Sequence, residues 1–216
     1  MGRAKIKRGN TNVDMTAMCD VAFLLLSFFI LATKFKPSEA IEVSPPSSVS
    51  SKAAPENDAF KVSINKEGSV FVDMSDGMRK DVLDQLASAR NLTFSDEDKA
   101  YFQNATFVGA PISQLSQFIR IAPEDMSKVK LTGVPVDSTN NELQAWINAA
   151  INVYKDKGRK LNFLIKGDDN AKYPAFRNVI DAFKKNDIYK YQLVTNPEDI
   201  PKGSELEKVN ATKKGA

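Results

Sequence analysis

Asp20 stands where a carboxylate is expensive. It lies five positions past Met15 in the run MTAMCDVAFLLLSFFILAT, residues 15–33, and the twelve residues from Val21 to Ala32 hold one polar side chain, Ser27. An ionised carboxylate costs at least about 2.5–3.5 kcal/mol at a bilayer centre, an upper bound for Asp20, which sits toward one end of the run. At 100° per residue, Thr16, Asp20 and Ser27 fall within about 40° of one another on a helix. Val13, Leu24 and Leu31 lie nearby, and the other faces are aliphatic or aromatic. A carboxyl group on such a stripe can alternate between neutral and ionised as its surroundings change, which is the chemistry of proton carriage. The plainer alternative starts the span after Asp20 and leaves it an interfacial acid. Val21 to Thr33 alone would then reach only about 20 Å, short of a hydrocarbon core.

Other chemistry is sparse. The chain of 216 residues has no histidine and one cysteine. That removes Ser-His-Asp and Cys-His nucleophile systems, His-based zinc sites, intramolecular disulfides and CxxC motifs. No Gly-rich phosphate loop is present. Cys19 reads as a small packing residue, and Asp14 as a solvated acid or helix start. Asp168 and Asp169 follow a strand but lack further oxygen ligands at EF-hand spacing, so they read as turn and helix caps. Neither a metal nor a cofactor is expected. Three N-x-[ST]-type sequons, at Asn91, Asn104 and Asn210, matter only in a eukaryotic secretory setting, for which nothing else argues.

The net charge of +3 comes from the ends. Arg3, Lys5, Lys7 and Arg8 precede any acid, and Lys208, Lys213 and Lys214 follow the last one. Taking these seven from the 30 basic residues leaves 23 against 27 acids, a net of −4 over 13–207. The body therefore lacks the basic stripe of a nucleic-acid binder.

Several elements must position Asp20 and whatever it works on. Residues 1–12 form a basic cytoplasmic tail. Residues 13–35 form a single membrane-spanning helix, since residues 15–33 would rise roughly 28 Å. A cleaved signal peptide is the rival. Against it, Gly9 to Thr16 separates the basic residues from the apolar run, and no A-x-A site follows. The basic residues favour a cytoplasmic N-terminus and place the bulk of the chain outside. Residues 36–58, rich in Ser and Pro, read as a flexible linker. Residues 59–196 read as an α+β domain, a mixed sheet with helices on one face. Strands are expected at Ala59 to Asn65 and Ser69 to Asp73 around a Lys66-Glu67-Gly68 hairpin. Helices are expected at Arg79 to Arg90, after a capping box at Ser95–Asp98, and at Pro111 to Arg120. The strongest runs from Asn141 to Lys157, with Leu143, Trp146, Ile147, Ala150, Ile151 and Tyr154 at core spacing. A strand at Leu161 to Lys166, a helix at Pro174 to Asn186 and a strand at Tyr189 to Thr195 make a βαβ unit with parallel strands. The tail, 197–216, reads as disordered.

Two stretches resemble the ExbD/TolR family of biopolymer-transport proteins. TNVDMTAMCDVAFLLLSFFILAT, residues 11–33, is similar to the family's membrane segment, with Asp20 at its single essential aspartate. LNFLIKGDDNAKYPAFRNVIDAFKKNDIYKYQLVT, residues 161–195, is similar to its C-terminal segment, where Asp168, Tyr173, Asp181, Leu193 and Thr195 match. Ile41 to Ser48 faintly resembles an extended piece after the membrane helix. Ala17 replaces the usual proline, Asp187 stands where a glycine usually ends the last helix, and about 74–137 looks like an insertion. The resemblance, most like ExbD, implies a non-enzymatic subunit of a motor driven by the proton motive force in the bacterial inner membrane. Its outer domain would be periplasmic. Asp20 would bind the proton, with Thr16 and Ser27 as neighbours on its path. The chain would be a homodimer inside a pentameric ring of an ExbB-like partner, driving outer-membrane transport through a TonB-like protein. Two rivals are a TolR-like envelope-maintenance subunit with a cell-wall-binding domain, and a secreted periplasmic binding module if the N-terminal segment is removed.

Overall fold

The computed structural model describes residues 15–32, 41–49, 52–55, 57–122, 125–126, 129–137, 139–205 and 207. The chain divides into two compact units, Met1–Glu39 and Ala40–Ala216.

The first unit contains helix α1, Met15–Ala32. No glycine or proline interrupts it, and leucine, methionine and alanine favour the helical state. Among the described residues, no helix is long and apolar enough to cross a membrane. The expected span of 13–35 takes in residues 13–14 and 33–35, which lie outside the described residues.

The second unit is α+β. Strands β1 (Ser47–Ser48), β2 (Ala59–Ile64), β3 (Val70–Met74), β4 (Asn162–Gly167), β5 (Gln192–Leu193) and β6 (Asn196–Pro197) interleave with five helices. These are α2 (Arg79–Arg90), α3 (Asp96–Asn104), α4 (Leu115–Ile119), α5 (Glu142–Asp156) and α6 (Tyr173–Lys184). The main sheet is mixed, in the order β3-β2-β4-β5. β3 runs antiparallel to β2, and β4 runs parallel to both β2 and β5. The βαβ unit is therefore parallel, as its hydrophobic pattern requires.

Alternation decides the core row. Phe60, Val62 and Ile64 on β2 are fully buried and join Val82, Leu83 and Leu86 of α2, Leu143, Trp146 and Ile147 of α5, and Phe183 of α6 in one cluster. Between them Lys61 pairs with Asp73 at 2.7 Å on the other side of the sheet. A file of rings ties sheet to helix: Phe60 to Phe163 at 5.9 Å, Phe163 to Phe183 at 5.5 Å, and Phe183 to Tyr191 at 5.7 Å.

Helix ends follow local rules. α2 stops at Asn91, left-handed at φ 52°, and the Leu92 amide donates back to Ala87. Ser95 and Asp98 form the expected reciprocal capping box at the start of α3. The Asn141 carboxamide accepts from Gln144 to start α5. Two expectations need correction. The helix expected over Pro111 to Arg120 forms in two parts, a 3-10 turn, Ile112–Gln114, leading directly into α4, with Gln114 at the end of the turn at φ −106°. The last strand, expected over Tyr189 to Thr195, shrinks to Gln192–Leu193, because beyond it the Asn196 amide turns to Pro46.

The residues expected as an insertion share the domain's core. Phe102 stacks on Trp146 at 5.8 Å, and Phe107 bridges Phe71 and Phe118, 5.8 Å from each. Val108 exchanges two backbone hydrogen bonds with Val72, and the Val134 amide donates to Val70 at 2.7 Å. Gly133 makes that approach possible: at φ +80°, a Cβ there would lie 2.9 Å from the Val70 nitrogen.

Residues 41–48 depart from the flexible linker expected over 36–58. They lie along the domain as an extended strap. The Ser44 amide donates to Asp168 Oδ2 at 2.8 Å, and its carbonyl accepts from Asp169 at 2.9 Å. β1 then pairs in parallel with β6, and the Glu198 amide donates to Ser48, so the start of the tail expected to be disordered is held too. Pro45 and Pro46 favour the extended backbone this requires.

Candidate functional site

α1 carries the sequence's three candidate residues on one face. From Asp20, Thr16 is displaced by about 40° around the axis and about 6 Å along it, and Ser27 by about 20° and about 10 Å. They share a stripe without reaching one another. Thr16 and Asp20 are exposed and Ser27 is half-buried. The Ser27 hydroxyl donates to the Leu24 carbonyl at 2.9 Å, so its proton is engaged within the helix. Cys19, one position before Asp20, is a free and exposed thiol. Asp14 lies outside the described residues.

The surroundings of Asp20 are the unusual feature. Met18, Val21, Phe23, Leu24, Leu25, Leu26, Phe28, Phe29, Ile30 and Leu31 are all exposed, from 54% for Leu25 to 84% for Leu31. A helix that is apolar all round must be covered by something. Asp20 is the one acid in that surface, and the helix holds no basic residue. Such a helix can present a carboxyl group to whatever covers it.

Asp168, expected as a turn residue, is also a tie. Its Oδ1 accepts from the Asn170 amide at 2.9 Å while Oδ2 holds Ser44. These two backbone amides keep its carboxyl below the ordinary aspartate range. The link spans 124 positions, and no pattern in the sequence marks it. Asp98 is likewise lowered, chiefly by its bond from Arg120, whose Nε lies 2.8 Å from Oδ1. Both are structural. Among the described residues, no group of three or more His, Cys, Asp or Glu side chains is placed to hold a metal ion.

A helix of this kind, followed along the chain by a small α+β domain with a mixed sheet, is the arrangement the resemblance implies, and comparison with known proteins fixes the family. The family model described as biopolymer transport protein ExbD/TolR matches residues 6–198, which includes both α1 and the sheet domain. The chain belongs to the ExbD/TolR family. It is also 27% identical over 73 residues to the biopolymer transport protein exbD2 of Vibrio cholerae serotype O1 (strain ATCC 39315 / El Tor Inaba N16961), a match covering 34% of this chain and 54% of that protein. The chain thus spans about half the length of that curated relative. No solved structure matches it.

Proposed function

We propose that the protein is an ExbD-like subunit of a motor in the bacterial inner membrane, in which Asp20 takes up and releases protons and the resulting motion energises outer-membrane transport. The observation that carries this reading is the bare apolar surface of α1 around a single carboxylate. The described 18 residues rise about 27 Å, slightly less than a bilayer core of about 30 Å, and the flanking residues 13–14 and 33–35 would complete the span. The N-terminus is then cytoplasmic and the sheet domain periplasmic, in line with the basic residues at the N-terminus.

One helix has no interior, so an ionisable Asp20 needs other helices around it. We assign the cover to a second copy of α1 and a ring of an ExbB-like partner, with Thr16 and Ser27 supplying hydroxyls on the proton's path. A charge crossing 100 mV yields about 2.3 kcal/mol. That is enough to bias which partner face the helix meets. A TonB-like protein would carry the motion outward. The similarity to a chain named exbD2 favours this reading over a TolR-like role, and a family match running through α1 favours a retained helix over a removed one.

The test is Asp20→Asn, which keeps the shape but cannot ionise. It should reach the membrane and co-purify with its partners at normal levels while energy-dependent uptake falls to background. Normal uptake by this variant would overturn the assignment.

A further inference from the structure

The turns that lead into β4 and β5 meet at one end of the sheet, because the two strands are parallel neighbours with Leu164 opposite Gln192. One turn leaves α5 through residues 155–160, KDKGRK, and the other leaves α6 through residues 184–190, KKNDIYK. Together they hold seven basic and two acidic residues, a net of +5. Residues 41–207 hold 21 basic and 24 acidic residues, so the remainder of that stretch has 14 against 22, a net of −8. The rim is thus opposite in sign to the rest of the domain. Lys157 and Arg159 are paired, with Asp81 and with Asp58, the latter at 2.6 Å. Lys155, Lys160, Lys184, Lys185 and Lys190 are exposed, and among the described residues none of them has an ion-pair partner. Lys160 and Lys190 line one groove of about 620 Å³ with Lys52, and Tyr189 beside them is 70% exposed.

We propose that this rim rests on an anionic phospholipid surface, with the five unpaired ammonium groups among lipid phosphates and the Tyr189 ring at the level of the headgroups. Each lysine near such a surface strengthens the attraction about fivefold, and the effect fades within a screening length of about 8–10 Å. Lysines on long, flexible stems suit the mobile phosphates of many lipids, since a point charge needs no fixed partner geometry. A tyrosine brings an apolar ring and a hydroxyl, the combination found where a bilayer meets water. Under the proposed function α1 ties the domain to a bilayer, so lipid is always at a high local concentration that a soluble acidic partner does not share. The groove at the other end of β2 offers no such surface, because Lys66 and Lys130 stand there beside Glu42, Glu67 and Asp168. Proton carriage by Asp20 plays no part in this contact.

The experiment follows acetylation of each lysine by mass spectrometry in the full-length chain held in lipid nanodiscs. The discs are phosphatidylcholine alone, or phosphatidylcholine with about one third phosphatidylglycerol. Acetylation of Lys160, Lys184, Lys185 and Lys190 should slow by about threefold or more in the anionic discs at low salt, and recover at high salt. Lys66 should react equally in both. Lys184→Glu with Lys185→Glu should abolish the slowing at Lys160 and Lys190 while far-ultraviolet circular dichroism stays unchanged, and Asp20→Asn should leave the slowing intact. Equal rates in the two kinds of disc, slowing that persists in the double variant, or slowing confined to native membranes that contain partner proteins would each overturn the proposal.

Discussion

At the residue scale, single positions show how the chain accommodates its departures from the family pattern. Asp187 shows how a departure from the family pattern is tolerated. It follows α6 with φ at 59°, the left-handed conformation that glycine adopts without strain. The Ile188 amide still returns to the Phe183 carbonyl at 3.0 Å, so the helix closes normally around an aspartate. Left-handed strain on a residue other than glycine costs about 1–3 kcal/mol, least for Asn and Asp, whereas the extra freedom glycine gives the unfolded chain costs about 0.4–1 kcal/mol. Strain outweighs the lost chain entropy. Asp187→Gly should therefore stabilise the domain by roughly 0.5–1 kcal/mol, visible as a rise of a few degrees in the thermal midpoint. A fall in the midpoint would show that the aspartate side chain makes a contribution the backbone does not reveal.

At the element scale, the strap is the feature the sequence conceals. The helices α2, α3 and α5 and the βαβ unit are legible because apolar residues recur at helical or alternating spacing over ten or more positions, and because Ser95 and Asp98 stand at capping distance. The strap has no period to read. It is held by Val43, which is buried, by a two-residue ladder and by one aspartate far along the chain. β5 is shorter than its composition suggests for a related reason: Tyr189 to Thr195 is rich in strand-forming residues, but only Gln192 and Leu193 pair in register with β4, and Val194 adds a single amide bond to Ile165. The polar stripe of α1 is readable from spacing alone, whereas the lysines around the β5 groove come from three separate segments and meet only in the fold. The strap also makes a pH prediction. Asp168 is lowered by the amides it accepts, so the tie to Ser44 is fully present above the unfolded aspartate value of about 3.9 and is lost as pH falls through the lower folded value. Amide exchange at Ser44, relative to the intrinsic rate, should be slow from pH 6 to 8, stay slow near the unfolded aspartate value of about 3.9, and quicken only below it. In Asp168→Asn the amide should be poorly protected throughout. Equal protection of the Ser44 amide in Asp168→Asn and in the unaltered chain at pH 7 would remove Asp168 from this role.

At the scale of the whole molecule, two units divide the work. The unit of residues 40–216 has its own continuous core and satisfies its helix ends and its β3 edge internally. The helix of the other unit does the opposite, exposing nearly every large apolar side chain it has around one acid. Under the proposed function, that contrast makes the helix the energy-coupling part and the domain the part that meets partners. The central claim is that Asp20 changes protonation when the membrane is energised. Infrared difference spectroscopy of the assembled complex in membranes, with and without an imposed proton gradient, observes this at the carboxyl group itself. The unaltered complex should show a gradient-dependent carbonyl band of a protonated carboxylic acid, and that band should be missing in Asp20→Asn. A gradient-dependent band of equal size in Asp20→Asn, or no such band in an unaltered complex that sustains uptake, would contradict it.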